Sequence, residues 1–171
     1  RKNTEHTDYQ KIKSLITILA KRGLRKISLT GGDPTLYPDI MGLIDFTGSF
    51  GFKEVFFHTN GLALNSIMAE KLIQNVTKIA ISLHTTDSVK WRLMTRGEDA
   101  QFKIVMDNLR CLSRLASSTN VVIEVKYVPL KGINDSREDL IEFLEYCNKN
   151  KFKFKFLNFE AITNEHLNLV I

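Results

Sequence analysis

The sequence predicts an α/β fold with a parallel sheet, and two observations carry that expectation. Short apolar segments alternate with longer stretches whose apolar residues recur at helical spacing. Strands separated by whole helices need right-handed crossovers, which align them in parallel, as in barrels or doubly wound sheets. The near-continuous apolar character of the strand segments fits a sheet covered by helices. Both architectures collect function at the carboxyl ends of their strands.

The elements follow in order. Thr7 to Gln10 resembles a capping box, and Tyr9, Ile12, Leu15, Ile16 and Leu19 mark one helical face until Gly23 stops it. A strand is expected at Lys26–Thr30, a helix around Asp39–Ser49, and a strand at Glu54–Phe57 that ends in His58-Thr59-Asn60-Gly61. Leu64–Gln74 reads as helix and Lys78–Leu83 as strand. After an irregular segment, Gln101–Leu115 reads as a longer helix. Val121–Val128 is the next strand, Ser136 caps a helix reaching about Asn148, and Phe152–Phe159 closes the series as a fifth strand.

Composition narrows the class. A chain of 171 residues with 43% hydrophobic residues fits one globular domain spanning 1–171, and no stretch reaches the apolar length of a membrane span. It opens Arg1-Lys2-Asn3 with no initiator Met and no leader pattern, so it is expected to be a piece of a longer protein. Cys111 and Cys147 stand far apart without metal-ligand spacing. They are read as small core residues of a protein in the reducing cytoplasm, and no metal site is assigned within the chain. The net charge of +5 is scattered, which does not indicate nucleic acid. Lys149, Lys151, Lys153 and Lys155 alternate with Phe152, Phe154 and Phe156, the pattern of a strand with phenylalanines inward and lysines outward.

The most informative run is Thr30-Gly31-Gly32-Asp33-Pro34 at the end of the first strand. Two glycines let the backbone turn sharply and come close to a ligand, and Pro34 fixes the next φ. The other strand ends are His58-Thr59-Asn60-Gly61, Ser82-Leu83-His84-Thr85-Thr86-Asp87, Val128-Pro129-Leu130-Lys131-Gly132 and Asn158-Phe159-Glu160. Turns and caps explain each separately, and Asn134-Asp135-Ser136 reads as a turn and cap. Their recurrence on one rim points to a site. On that rim His58 and His84 are candidate proton donors or substrate contacts, and Lys131 is a candidate for a carboxylate or phosphate.

Taken in order, Thr-Gly-Gly-Asp-Pro, Thr-Asn-Gly, Ser-Leu-His and Lys-Gly-Ile-Asn-Asp resemble the radical S-adenosylmethionine (SAM) superfamily, in particular its molybdenum-cofactor branch of GTP 3′,8-cyclases. The resemblance covers about Lys26 to Glu160. It implies a partial (β/α)6 TIM-like barrel whose first strand and cluster loop are missing from this chain. In that family a [4Fe-4S] cluster binds SAM and cleaves it reductively to a 5′-deoxyadenosyl radical. The resemblance places Gly31, Gly32, Asp33 and Pro34 against the methionyl amino group, with aspartate in place of the usual glutamate. It places Ser82 against the SAM carboxylate or ribose, Thr59 and Asn60 near the ligands, and Arg96 among the possible substrate contacts.

The departures also carry information. The family's Cys-x3-Cys-x2-Cys motif lies upstream of the first helix, and this chain has no such triad. The resemblance matches Ser28 to a cyclase arginine that binds GTP, His58 to a threonine, Glu124 to a fifth-strand lysine and Glu160 to a methionine near the adenine, and these four changes leave the substrate open. The expectation is the SAM-binding core of a radical enzyme acting on a small-molecule or peptide substrate. Its cluster ligands would lie elsewhere, and a flavodoxin- or ferredoxin-type donor would supply electrons. The alternative is a non-catalytic barrel that binds a small molecule or a protein. Neither Gly-x-Gly-x-x-Gly nor Gly-x4-Gly-Lys-Ser/Thr is present for an ordinary phosphate-binding fold.

Overall fold

The computed structural model describes residues 6–157. Six helices alternate with five strands in that span: α1 (Tyr9–Lys21), β1 (Lys26–Leu29), α2 (Ile40–Gly48), β2 (Glu54–Thr59), α3 (Ser66–Asn75), β3 (Lys78–Ser82), α4 (Ser88–Thr95), α5 (Asp99–Ala116), β4 (Val122–Tyr127), α6 (Arg137–Lys149) and β5 (Lys153–Phe156). A 3-10 turn at Pro34–Leu36 joins β1 to α2. All strand pairs are parallel, and the sheet runs β1-β2-β3-β4-β5.

That order decides between the two architectures. A doubly wound sheet reverses direction at a switch point, whereas here every crossover steps to the next neighbour the same way. With right-handed crossovers the helices then collect on one face, as around a barrel wall. The fold is therefore an α/β partial barrel with five parallel strands among the described residues.

The helix-side face is the core. Val55, Phe57, Ile79, Ile81, Val125 and Tyr127 are buried there with Leu72 of α3, Leu109 and Leu112 of α5 and Phe143 of α6. Burying each large apolar side chain contributes roughly 1.5–3 kcal/mol. Tyr127, Phe143 and Phe154 form an aromatic cluster with ring centroids 4.7 to 6.1 Å apart.

The other face is not apolar, contrary to the expectation of apolar strands. Register places Ser28, Phe56, His58, Lys78, Ala80, Ser82, Glu124, Lys126, Lys153 and Lys155 on it. Strand period two explains the difference, because only alternate residues meet the helices. In β5 the lysines are exposed as expected, on the concave side of the barrel wall; Phe154 is partly buried toward the helices, whereas Phe156 is 50% exposed.

Local differences have local causes. The first helix is capped by Asp8, whose carboxylate accepts from the Lys11 amide at 3.0 Å, and not by a Thr7 box. Asn65 caps α3 by accepting from the Met68 amide, which starts that helix after Leu64. The segment read as irregular contains α4, capped by Asp87 through the Lys90 amide. The fifth strand is four residues long, and the expected rim segment Asn158-Phe159-Glu160 lies outside the described residues.

Candidate functional site

The rim begins where β1 ends. Gly31 and Gly32 have φ of +101° and +29°, the left-handed region, and both are exposed. A Cβ built on either meets nothing within 4 Å. Among the described residues neither amide donates to a backbone or side-chain acceptor outside the sheet ladder. Two adjacent exposed glycines with unspent amides leave the backbone open to an anionic or carbonyl oxygen, or to a ligand lying along it.

Asp33 has a different task. Its carboxylate accepts from the Thr35 amide (3.0 Å) and hydroxyl (2.6 Å), from the Thr59 hydroxyl (2.9 Å) and from the Asn60 amide (2.7 Å). Thr59 is buried and its oxygen also accepts from the Gly61 amide at 3.0 Å. Asp33 and Thr59 thus lash the end of β1 to the end of β2. Pro34 is buried at the start of the 3-10 turn that holds Asp33 in place. Asn60 is exposed, and its side-chain oxygen accepts from the Leu62 amide.

Ser82 stands on the concave face at the end of β3, level with Lys126 of β4. Unlike Thr59, its hydroxyl has no hydrogen bond among the described residues. Beyond it, His84 holds a φ of +69°. Its amide donates to the Lys126 carbonyl, and its own carbonyl accepts from the Asn134 side chain at 2.8 Å. Burial, with the nearby Lys126 charge, lowers the His84 pKa to about 4, against a weaker opposing pull from the Lys126 carbonyl. His84 is a neutral imidazole at pH 7.

Below the rim the strands bring charges together. Lys126 donates from Nζ to Nδ1 of His58 at 2.7 Å, and Lys78 pairs with Glu124 Oε2 at 3.1 Å. Burial lowers the His58 pKa, and Lys126 and Lys78 push it the same way. The Lys126 pKa is lowered by burial and by Lys155 and Lys78, against the pull of Glu124. Ser28, His58 and Glu124, three of the four positions that differ from the cyclase pattern, all lie on this face; Glu160 lies outside the described residues.

Two expected residues are not drawn in. Arg96 is the exposed C-cap of α4 at φ +58°, and Lys131 is exposed in the loop after β4. Neither forms an ion pair among the described residues. One residue, Lys126, went unnoticed in the sequence, and another, Asn134, was read only as turn chemistry. Lys126 reads as an ordinary strand lysine until register puts it beside Ser82. Asn134 is fully buried and donates to the His84 and Val128 carbonyls while accepting from the Leu130 amide. It ties the β3 and β4 rim loops, and Tyr127 donates its hydroxyl to the Asn134 carbonyl. The signal for Lys126 was the alternation in Val-Ile-Glu-Val-Lys-Tyr.

Comparison with known proteins now bears on this rim. The family model of the radical SAM superfamily matches residues 1–147. The chain belongs to the radical SAM superfamily. Among curated relatives it is 26% identical over 165 residues to a GTP 3′,8-cyclase of Chlorobaculum tepidum, covering 96% of this chain and 48% of that protein. It is 33% identical over 138 residues to a GTP 3′,8-cyclase of Rhizobium etli, covering 78% of this chain and 38% of that protein. It is 30% identical over 148 residues to the molybdenum cofactor biosynthesis protein moc-5 of Caenorhabditis elegans, covering 85% and 23%. The chain spans about half or less of these relatives. Among solved structures, Streptococcus suis SuiB bound to S-adenosylmethionine superposes with a TM-score of 0.80 at 19% identity, over 96% of this chain and 36% of that one. Its likeness supports the partial-barrel fold.

The cofactors of this superfamily are SAM and a [4Fe-4S] cluster, and the two fare differently against the residues present. The Gly31-Gly32 cradle and the free Ser82 hydroxyl suit SAM. Among the described residues no group of three or more His, Cys, Asp or Glu converges to hold a metal. Cys147 is buried in α6, where burial pushes its thiol up to about 11, and Cys111 lies on α5. These cysteines do not fit as cluster ligands.

Proposed function

We propose that this chain is the SAM-binding core of a radical SAM enzyme. The observation that carries the reading is the pair of exposed, left-handed glycines with unspent amides at the end of β1, in a chain of this superfamily. SAM, when reductively cleaved, supplies a 5′-deoxyadenosyl radical. The chain's residues have other duties: Gly31 and Gly32 hold the methionyl end, and Ser82 donates to the carboxylate or ribose. Asp33 and Thr59 keep the two strand ends in register beneath it, with Pro34 fixing the turn. Asn60 lines the same rim.

The substrate, a small molecule or a peptide, would sit on the concave face against His58 and His84, with Arg96 and Lys131 at its outer margin. Cluster ligands would come from outside residues 1–171, because Cys111 and Cys147 serve the helices. Electrons would come from a flavodoxin- or ferredoxin-type donor in the cytoplasm. No described helix is long and apolar enough to cross a membrane. The relatives' substrate is not carried over, since Ser28, His58 and Glu124 change the chemistry of the face.

The test is anaerobic reconstitution of the complete protein, followed by incubation with SAM and dithionite. Formation of 5′-deoxyadenosine supports the reading. A cluster-loaded protein that leaves SAM intact refutes catalysis by this route and favours the non-catalytic binding module.

A further inference from the structure

The charges on the concave face do not cancel. Among the described strand residues, Lys26, Lys78, Lys126, Lys153 and Lys155 stand there with Glu54 and Glu124 as the acids. Two lysines are accounted for: Lys26 pairs with Glu54 at 2.9 Å, and Lys78 with Glu124 at 3.1 Å. Lys26 and Lys78 also each place their ammonium over the Phe56 ring, 4.3 and 4.1 Å from its centroid. Lys126, Lys153 and Lys155 have no carboxylate partner among the described residues. Lys126 instead spends a hydrogen bond on His58, a ring that its own charge helps to keep neutral.

The arrangement is a specific one. Ser82, Lys126 and Lys155 lie in one lateral row across β3, β4 and β5, with Ala80 and Glu124 in the row beneath. Glu124 Oε1 is buried there without a partner, although its other oxygen holds Lys78. Lys126 is partly buried and exposed Lys155 stands beside it; neighbouring like charges disfavour one another, and an oxyanion between them offsets that cost. A lysine ammonium is a compact point charge suited to a phosphate or carboxylate.

We infer that the substrate carries an oxyanion, a phosphate or a carboxylate, seated between Lys126 and Lys155 on the concave face beside Ser82. This rests on the radical SAM reading, because that reading makes the face the substrate wall. The anion charges fix the substrate's far end, and His58 positions the Lys126 ammonium.

The experiment is calorimetric titration of the complete protein at low salt with inorganic phosphate and, separately, with acetate, each with and without SAM. Binding of either anion at millimolar concentration is expected. Lys126→Met and Lys155→Met should each weaken it about tenfold, the loss of one charge-assisted hydrogen bond. Lys103→Met, on the exposed face of α5, should leave it unchanged. The anion that binds more tightly identifies the substrate group. If neither anion binds, or if both lysine variants bind as tightly as the parent, the inference is wrong. SAM titrated in parallel keeps the two readings apart: SAM binding without anion binding overturns the oxyanion alone. Loss of SAM binding overturns the cofactor reading and leaves the anion result to stand on its own. Thermal melts of each variant confirm folding, and exposed Lys155 provides a variant that leaves the core untouched.

Discussion

Asp33 and Ser82 differ in what is left to offer a ligand. The Asp33 carboxylate is occupied by donors from Thr35, Thr59 and Asn60, whereas the Ser82 hydroxyl is uncommitted. Asp33→Ala would strand two amides and two hydroxyls at the rim. It should lower stability by about 2 kcal/mol, read by urea denaturation, and loosen SAM through the displaced Gly31-Gly32 turn. Ser82→Ala should leave stability unchanged and weaken SAM by about 1 kcal/mol, measured by calorimetry. The sequence marked both residues as rim positions. It did not show that Asp33 is spent internally, because that depends on β1 and β2 lying side by side, which brings residues 26 positions apart into contact.

Among the elements, the strands and the long helices were legible because each carries a period and a boundary residue. Strand limits fell within a residue or two, except for β5, whose expected end lies outside the described residues. The eight-residue α4 was not legible: Trp91 is its one buried residue, too little for a periodic signal, though Asp87 was a visible cap. The concave face stayed hidden for another reason. Alternating lysines do not show which strands they share a face with until parallel register sets β3, β4 and β5 edge to edge. The rim loops depend on Asn134 in the same way, since its three side-chain hydrogen bonds are made to His84, Val128 and Leu130. Asn134→Ala should cost roughly 3 kcal/mol by leaving buried carbonyls and an amide unpaired, seen as a lower denaturation midpoint with an unchanged slope.

On the scale of the whole molecule, a singly wound sheet among the described residues packs its crossover helices on one side and leaves a polar wall on the other. That wall holds neutral imidazoles, with a consequence for stability. The folded-state pKa of His84 is about 4, below its ordinary 6.5. Its contribution is therefore fully present above pH 6.5 and is lost as pH falls toward 4, where only the unfolded chain takes up the proton. The loss is at most about 3 kcal/mol. His58, shifted in the same direction, adds to it. His84→Asn, which tolerates the left-handed backbone, should flatten this dependence in denaturant melts at pH 7 and pH 4.5. A slope as steep as the parent's would assign acid sensitivity elsewhere.

The central claim is that the Gly31-Gly32 rim holds SAM, and it is tested most directly by titrating SAM into the complete, cluster-loaded protein and its Gly32→Val variant. The parent should bind. The variant, whose Cβ meets nothing within 4 Å but is strained at a φ of +29°, should melt cooperatively at a somewhat lower temperature and lose SAM affinity by a hundredfold or more, about 3 kcal/mol. Equal affinity in a folded Gly32→Val protein would contradict the account and move the SAM site off this rim.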